Sequence, residues 1–335
     1  MTWRTQSAFA VSSSKSSATH DMHLSALLGY AQESGMATTR LGDGFGAFWD
    51  LLRHLRASPP VLFMQSSGLS NLFVLPLAWL LKIRIVYYFH EPLPFNQKIK
   101  NDGFFKGLVM YCLQRNDTFW ASHVLVSGVH AEEKARDAFS VKSEKIRMAP
   151  LLLSPPDNAA QRNHQSSRRI TYLGRIDQRR YLKEFIALAD HLQKEGFVPT
   201  ILTGQPKALR RMVPLMPDSI EVFAIERFSE ERKAQILDET AILWNPKSVP
   251  IAQSGVTAEA VKFGCSIVLT PFDPQYSVLR DKGLVIDIDD VEKKSGLKRR
   301  DEEVKAAASE LFDEMHGAGA FASCYQPVLI TADDV

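Results

Sequence analysis

The sequence has few cysteines, no long apolar run and almost no net charge, and each of these absences excludes a class of protein. Its cysteines are Cys112, Cys265 and Cys324, an odd number at wide spacing that fits neither a disulfide framework nor a zinc site. This usage favours a reducing compartment such as the cytoplasm. The formal net charge of +2 at pH 7 provides no basic field, so we expect no nucleic-acid partner.

Hydrophobic segments long enough to cross a membrane are also lacking. The most apolar stretch, Leu72–Leu81, is interrupted by Pro76. It has about half of the residues that a bilayer-spanning helix needs, so it predicts a buried helix. The opening residues, Met1 to Ser7, lack the charged-then-apolar layout of a signal peptide. We therefore expect a cytoplasmic protein, either free or at the inner face of the membrane.

What the sequence does contain is a regular alternation of strand and helix patterns. Short apolar, β-rich runs alternate with helical periodicities through most of its 335 residues, which is typical of parallel sheets covered by helices. The polar, proline-containing stretch 154–168 separates two such series and predicts a linker. We predict an α/β protein with two doubly wound Rossmann-like domains, residues 1–153 and 169–317, facing a central cleft. Residues 318–335 form a terminal segment.

Several individual elements are specified well enough to be tested. Periodicity predicts helices over Phe48–Arg56, Phe104–Gln114 and Leu182–Lys194. Ser229 followed by two acids predicts the start of another helix, because a hydroxyl accepts from a free N–H there. Gly264 predicts a helix end, since glycine adopts the left-handed conformation without strain.

The first candidate for chemistry is His90, at the carboxyl end of the apolar run Arg84–His90. Ligands bind at the carboxyl ends of parallel strands, where loops and helix N-termini converge. His90 is followed by Glu91, a weaker candidate. The alternative is a hydrogen-bonded histidine that merely ends the strand.

The second candidate is the turn that runs from Gly174 to Arg180. Glycine permits a close backbone approach, and the guanidinium groups of Arg175 and Arg180 can bind phosphate oxygens in a forked geometry. A helix begins near Leu182 and adds free N–H donors for an anion. The alternative is a turn whose basic side chains are only solvated.

The third candidate is the small-residue loop Gln253–Thr257, which opens a helix that carries Glu259. Such a helix start can hold an anion, and a carboxylate in its first turns can accept hydrogen bonds from a pair of hydroxyls. The alternative for Glu259 is an acid that only stabilises the helix dipole. No zinc, Walker or Gly-x-Gly-x-x-Gly pattern is present, which argues against a metal enzyme and a dehydrogenase.

Together these features resemble the group-1 family of nucleotide-sugar glycosyltransferases, retaining enzymes with the GT-B fold. The resemblance is strongest from Ile170 to Asp289. It implies that Arg175 and Arg180 hold the donor diphosphate and that His90 contacts the transferred sugar, which makes these three the catalytic candidates. The implied donor-binding residues are Gly174, Gly204, Gln253, Ser254, Gly255, Val256, Thr257 and Glu259.

The sequence departs from the family pattern at two places. The family has lysine and then glycine where this chain has Arg180-Tyr181. Of the two family glutamates that flank the loop, the second matches Glu259 and the first falls on Ile251, whose side chain cannot bind a sugar hydroxyl. Gln253 and Ser254 lie close enough to substitute for it.

The function implied by the resemblance is transfer of a sugar from a nucleotide-diphosphate donor to a hydroxyl acceptor. The acceptor we expect is a glycan or lipid-linked glycan in cell-surface polysaccharide assembly. The nucleotide sugar is a co-substrate, and no metal or other cofactor is expected. Ile251 favours the alternative of a catalytically silent GT-B subunit that supports a partner transferase, and a nucleotide-dependent epimerase is a further alternative.

A mixed basic and aromatic surface bears on the acceptor. It surrounds a predicted helix start and could rest on anionic lipid as a peripheral membrane contact, or could equally be an ordinary amphipathic helix with solvated lysines. Its residues are Lys98, Lys100, Phe104, Phe105, Lys106 and Leu108. The terminal residues Phe321–Ile330 are expected to form a helix that crosses back onto the first domain.

Overall fold

The computed structural model describes residues 7–11, 18–41, 46, 49, 61–65, 67–90, 92–155, 168–226, 228–249, 254–292 and 302–330. The chain divides into two compact units, residues 1–154 with 313–335 and residues 155–312. The predicted helix Phe48–Arg56 and residues 156–167 of the predicted linker lie outside the described residues, apart from Trp49.

The first unit is built on a six-stranded parallel sheet with the order β2-β1-β3-β4-β5-β6. The strands are β1 Ser7–Val11, β2 Ala37–Leu41, β3 Val61–Met64, β4 Arg84–Tyr88, β5 His123–Val126 and β6 Ile146–Met148. Strand order reverses between β1 and β3. The apolar run Arg84–His90 predicts a strand over all seven residues, but the observed strand β4 ends two residues earlier, at Tyr88.

Helices cover both faces of this sheet. They are α1 Ala18–Glu33, α2 Asn71–Leu80, α3 Phe95–Asp102, α4 Phe104–Trp120 and α5 Val129–Phe139. Alternate residues of β3 enter different cores: Leu62 packs with α2 and α5, whereas Phe63 packs with α1. This two-sided burial explains why the central strands are continuously apolar.

Residues after Gly317 complete the core of the first unit. A π-helical turn, Phe321–Tyr325, leads into the short helix Gln326–Leu329. Phe321 and Tyr325 are buried against the α1 face of the sheet, and the Tyr325 hydroxyl donates to the carbonyl of Pro150 at 2.5 Å. Burying each aromatic ring contributes about 1.5–3 kcal/mol, so this segment adds substantially to the stability of the unit.

The second unit contains a second six-stranded parallel sheet, with the order β12-β11-β10-β7-β8-β9. Its strands are β7 Arg169–Leu173, β8 Val198–Thr203, β9 Glu221–Ala224, β10 Thr240–Trp244, β11 Ser266–Leu269 and β12 Val285–Asp287. The chain adds strands outward from β7 and then returns to the other side with β10. The point where strand order reverses therefore lies between β7 and β10.

Helices flank the second sheet as well. They are α6 Leu182–Lys194, α7 Pro206–Met212, α8 Glu230–Asp238, α9 Gly255–Phe263, α10 Tyr276–Asp281 and α11 Ile288–Glu292. A further helix, α12 Glu302–His316, begins in this unit, and its residues from Asp313 onward belong to the first unit. Both units thus have parallel sheets covered by helices.

One helix predicted from periodicity and two helix boundaries predicted from capping chemistry are confirmed. Helix α6 spans the predicted residues Leu182–Lys194. Ser229 precedes α8, and its hydroxyl accepts from the N–H of Arg232 at 3.2 Å. Gly264 ends α9 with a left-handed φ of 60°.

The region around α3 and α4 differs from the sequence prediction. Helix α4 continues to Trp120 instead of ending at Gln114, and α3 was not predicted. A side chain at Gly107 would lie 2.9 Å from the backbone nitrogen of Ile99, so the glycine lets the two helices pack closely. This packing leaves Lys98 only 5% exposed, and its predicted place on a solvent-facing basic surface is wrong.

Helices α2 and α4 carry many exposed apolar side chains and touch each other through Trp79 and Trp120, whose ring centroids are 5.6 Å apart. We call this surface the α2–α4 face; its exposed members are Leu72, Phe73, Trp79, Leu80, Phe104, Phe105, Leu108, Val109 and Phe119. Among the helices that the structure describes, none has the length and apolarity needed to span a bilayer.

His316 ties the end of α12 to the first unit. Its ring nitrogen Nδ1 lies 2.6 Å from the carbonyl of Leu151, and its own carbonyl accepts from the N–H of Leu153 at 3.0 Å. Complete burial lowers the pKa of His316 to about 4. The ring is therefore neutral in the folded protein at neutral pH, whereas in the unfolded chain its pKa is near 6.5.

This difference predicts acid-sensitive stability. Because the folded state disfavours the proton, stability from His316 is complete above about pH 6.5 and falls as the pH approaches 4, by about 2 kcal/mol between pH 7 and pH 5. Urea unfolding of His316→Gln should show a smaller loss over that interval than the wild-type protein. His130→Gln, at a half-exposed histidine, is the control and should behave as wild type; equal pH dependence in all three proteins would refute the assignment.

Candidate functional site

The candidate site lies at the carboxyl ends of β7 and β10, where the strand order of the second sheet reverses. These strands are direct neighbours, with Tyr172 opposite Trp244. Strand β7 leads into Gly174, and β10 leads into Asn245. Loops diverge at such a point and leave a crevice above the sheet, which is where ligands bind in parallel α/β domains.

Gly174 determines the shape of the turn from Gly174 to Arg180, which we call the arginine turn. It has a φ of 104°, and a side chain there would lie 2.9 Å from Nη1 of Arg180 and 3.5 Å from Cγ2 of Val256. The Tyr172 hydroxyl donates to the carbonyl of Arg175 at 2.8 Å, which ties the turn to strand β7. Glycine at position 174 therefore suits both the left-handed backbone of the turn and the close approach of Arg180.

The guanidinium of Arg180 is buried against neutral partners. Arg180 is 6% exposed, its Nη2 donates to Oδ1 of Asn245 at 2.5 Å, and its Nη1 donates to the carbonyl of Arg175 at 3.3 Å. The guanidinium carbon also lies 5.3 Å from the ring centroid of Tyr172. Burial lowers the pKa of Arg180. Since no carboxylate among the described residues forms an ion pair with it, its charge favours an anionic ligand.

Tyr181 follows Arg180 in a left-handed conformation, with a φ of 51° and a ψ of 41°. This is the conformation that glycine adopts without strain, and for another residue it costs about 1–2 kcal/mol. The glycine found at this place in the group-1 pattern thus matches a backbone requirement. In this chain Tyr181 adopts the same conformation, so its bulk does not prevent the turn from forming.

Asn245 connects the two strand ends to helix α9. Besides accepting from Arg180, it donates through Nδ2 to the hydroxyls of Ser254 at 3.1 Å and Thr257 at 3.0 Å. Thr257 in turn donates to Oδ2 of Asp273 at 2.9 Å. Because Asn245, Thr257 and Asp273 are all buried, this network fixes the start of α9 over the sheet.

Among the described residues, no side chain caps the N-terminus of α9, so its first backbone N–H groups can donate to a ligand. Ser254 precedes the helix, but its side chain makes no capping bond, and the first intrahelical bond is from Ala258 to the carbonyl of Ser254. The N–H groups of Gly255, Val256 and Thr257 come before that bond, as the unsatisfied donors of a helix start do. Together with the helix dipole they favour an anion.

Glu259 is held by a lysine that sequence reasoning missed. Glu259 is 4% exposed, and its Oε1 accepts from Nζ of Lys233 on α8 at 2.8 Å. Lys233 also pairs with Glu230 at 2.6 Å. Burial opposes the charge on Lys233, but the two glutamates raise its pKa. In the described part of the chain, Oε2 of Glu259 has no hydrogen-bond partner, so it remains able to accept one.

Gly204 lies at the end of β8, next to the same crevice. A side chain there would meet the carbonyl of Glu226 at 3.5 Å. The following residue, Gln205, accepts through Oε1 from the N–H of Ile176 at 3.0 Å, which ties the end of β8 to the arginine turn. Gln253 and Ile251 lie outside the described residues, so their predicted roles stay predictions.

Lys247 is a second residue that sequence reasoning missed. It follows β10 and is 8% exposed. Burial, and then the charge of Arg180, lower the pKa of Lys247 to about 6. In the sequence it stands in a turn, where lysines are usually solvated, so only the register of the strands shows that it lies near Arg180.

His90 belongs to the first unit. It follows β4, is half-buried, and stacks on Tyr88 with ring centroids 6.3 Å apart. Glu91 lies outside the described residues. A common site for His90 and the arginines therefore stays a prediction.

Within the part of the chain that the structure describes, no group of three or more His, Cys, Asp or Glu side chains is placed to hold a metal ion.

Comparison with known proteins identifies the fold. No protein-family model matches the sequence, and no curated protein matches it significantly. A glycosyltransferase from Rickettsia africae is 10% identical, with a TM-score of 0.68 over 98% of this chain and 100% of that one. HepE of Anabaena, solved in complex with UDP, is 9% identical, with a TM-score of 0.62 over 94% and 96%. The UDP-GlcNAc 2-epimerase of Methanocaldococcus jannaschii is 11% identical, with a TM-score of 0.51 over 92% and 98%.

At these identities the likeness concerns the fold alone. Two parallel-sheet α/β domains that match these structures over most of their length have the GT-B fold, and the predicted fold class is confirmed. The fold serves both transferases and epimerases of nucleotide sugars, so the activity must be argued from the site.

The role of Gly174 is directly testable. Gly174→Ala should destabilise the protein by about 1–3 kcal/mol, because the new side chain meets Arg180 and the backbone is left-handed. Gly29→Ala is the matched control, since it lies in α1 with nothing within 4 Å of the added carbon, and it should gain up to about 1 kcal/mol. Equal unfolding free energies for Gly174→Ala and wild type would contradict the geometry.

Proposed function

We propose that this protein is a glycosyltransferase that moves a sugar from a nucleotide-diphosphate donor to a hydroxyl acceptor. The observation that carries the proposal is the presence of two arginines and a helix N-terminus at the point where strand order reverses in the second sheet. Arg175 is exposed on the turn, Arg180 lies buried beneath it and donates to its carbonyl, and Asn245 joins Arg180 to the start of α9. A diphosphate has the charge and the oxygen atoms that these donors require.

The remaining donor contacts follow from this placement. With the diphosphate against Arg175 and Arg180, Oε2 of Glu259 is the acceptor we assign to a ribose hydroxyl, while Lys233 holds the other oxygen. Gly204 borders the nucleoside, and Ser254 to Thr257 contribute backbone N–H groups. The UDP complex of HepE, a protein of the same fold, supports a nucleoside diphosphate as the ligand.

The catalytic contribution we assign to the second unit is electrostatic. As the bond between the anomeric carbon and the diphosphate oxygen breaks, negative charge grows on that oxygen, and fixed donors stabilise it without reorganisation. The acceptor hydroxyl forms the new bond to the anomeric carbon, and its proton passes to the departing diphosphate oxygen. We assign His90 to the transferred sugar and propose retention of configuration, as in the group-1 enzymes. No metal or cofactor is assigned.

Substitution of Arg175 tests whether this site binds the donor diphosphate. Arg175→Ala should leave folding intact, because the side chain is exposed, and should reduce transfer more than 100-fold, about 3 kcal/mol of transition-state stabilisation. Transfer is measured across a panel of nucleotide sugars, with Arg210→Ala on α7 as the control for an exposed arginine elsewhere in the unit. Near-normal turnover by Arg175→Ala would sink the phosphate assignment.

The same panel separates the alternatives. Transfer to an acceptor supports a transferase, whereas interconversion of the nucleotide sugar without transfer would identify an epimerase. Binding of the nucleotide with neither reaction would leave the silent subunit, which Ile251 favours on sequence grounds.

The acceptor we propose is a glycan or lipid-linked glycan of cell-surface polysaccharide assembly, reached at the membrane surface. The α2–α4 face supports this, because it exposes large aromatic side chains such as Phe105 and Phe119, at 81% and 70%. Its charged neighbours Lys100, Lys106 and Arg115 are exposed and basic. Aromatic rings that enter the headgroup region and cations that meet anionic lipid are the two features of a peripheral membrane surface.

Vesicle flotation tests this surface. The protein should float with vesicles that contain anionic phosphatidylglycerol, less so in high salt, and poorly with neutral phosphatidylcholine. The double variant Phe104→Ser, Phe105→Ser should bind several-fold less. Leu215→Ser, at a 90% exposed leucine of the second unit, is the control. Failure of the wild-type protein to float with anionic vesicles would contradict membrane contact.

A further inference from the structure

Lys247 is a buried lysine that the fold does not explain. It is 8% exposed and follows the carboxyl end of β10, the strand that pairs with β7. Burying an ammonium group is costly unless an anion accompanies it. In the described part of the chain, the hydrogen bonds of Lys247 are those of its backbone, so a counter-charge must be sought among its neighbours.

The backbone of Lys247 is held in place from two sides. Its N–H donates to the hydroxyl of Thr270 at 3.2 Å, and that hydroxyl donates to the Lys247 carbonyl at 2.7 Å. The next residue, Ser248, donates its N–H to the carbonyl of Arg179 at 3.0 Å. These bonds fix Lys247 between the end of β11 and the arginine turn, so its position does not depend on a ligand.

The charged groups around Lys247 do not neutralise it. Two are cations, Arg180 and Arg179, and two are carboxylates, Asp273 and Asp177. Asp273 already accepts from the Thr257 hydroxyl and the N–H of Gln275, at 2.9 and 3.0 Å.

Asp177 is likewise engaged. It accepts from both the backbone and the guanidinium of Arg179. Each carboxylate thus has donors of its own, and burial together with Arg180 lowers the pKa of Lys247 to about 6. Near neutral pH the lysine of the ligand-free protein is mostly uncharged.

We infer that Lys247 is a third cationic ligand of the donor diphosphate and that it takes up a proton as the diphosphate binds. The inference rests on the proposed function of the same site. A diphosphate beside Arg180 replaces repulsion by attraction and so stabilises the charged lysine. Lys247 is then deprotonated before the diphosphate binds and protonated afterwards. The affinity for a nucleoside diphosphate therefore falls up to tenfold for each pH unit above neutrality.

Calorimetric titration of the 335-residue protein with UDP tests this inference. At pH 8, titrations in HEPES and in Tris, buffers of different ionisation enthalpy, give the number of protons exchanged on binding. Wild type should take up close to one proton, as should Lys194→Met, a control that removes a lysine from the last turn of α6. Lys247→Met should bind at least tenfold more weakly without proton uptake. Lys247→Arg should bind without proton uptake, because a guanidinium is already charged.

The outcomes separate the two levels of the proposal. If the wild-type protein binds UDP without proton uptake, or if Lys247→Met keeps both affinity and uptake, the role of Lys247 is overturned and the proposed function stands. If neither UDP nor inorganic pyrophosphate binds, both are overturned. Should Lys247→Met fail to fold in a thermal-unfolding control, Lys247→Arg decides: loss of proton uptake with retained binding supports the inference, and unchanged uptake overturns it.

Discussion

The hydrogen bonds of Asn245 are the interaction on which the candidate site depends. One buried amide accepts from Arg180 and donates to Ser254 and Thr257, so it joins the turn after β7 to the start of α9. These segments are far apart in sequence; pairing of β7 with β10 brings them together, and Asn245 adds side-chain bonds between the loops that follow the two strands. Ser254 accepts from Asn245 and makes no capping bond, so among the described residues no side chain competes with an anion for the first N–H groups of α9.

The site contains two basic side chains whose charged forms are disfavoured by burial. Arg180 and Lys247 are both buried at the same strand ends, and burial lowers the pKa of each. Carboxylates nearby are occupied by other donors, as Asp273 is by Thr257. In the function we propose, a dianionic or trianionic ligand favours the charged forms of both side chains, and this attraction contributes to affinity and to stabilisation of a departing diphosphate. The site is therefore better suited to an anion than to a neutral ligand.

The sequence predicted the features whose signal is local. Alternating strand and helix patterns gave the fold class, and caps such as Ser229 and Gly264 gave helix ends, because these rest on backbone chemistry within a few residues. Short elements such as β12 and α10 were missed because they contain too few residues for a periodicity. Lys98 was misplaced because its burial results from two helices packing closely.

Some residues of the candidate site could be predicted from local sequence, and others only from the fold. Glycine and arginine after a strand, and small residues before a helix, marked Gly174, Arg180 and the start of α9 from sequence. The roles of Asn245, Lys233 and Lys247 arise only when separate strands and helices come together. The most direct test of the account is a crystal structure with a nucleoside diphosphate bound. The account predicts phosphate oxygens within hydrogen-bond distance of Arg175, Arg180 and the first N–H groups of α9; a nucleotide bound elsewhere, with these groups unoccupied, would contradict it.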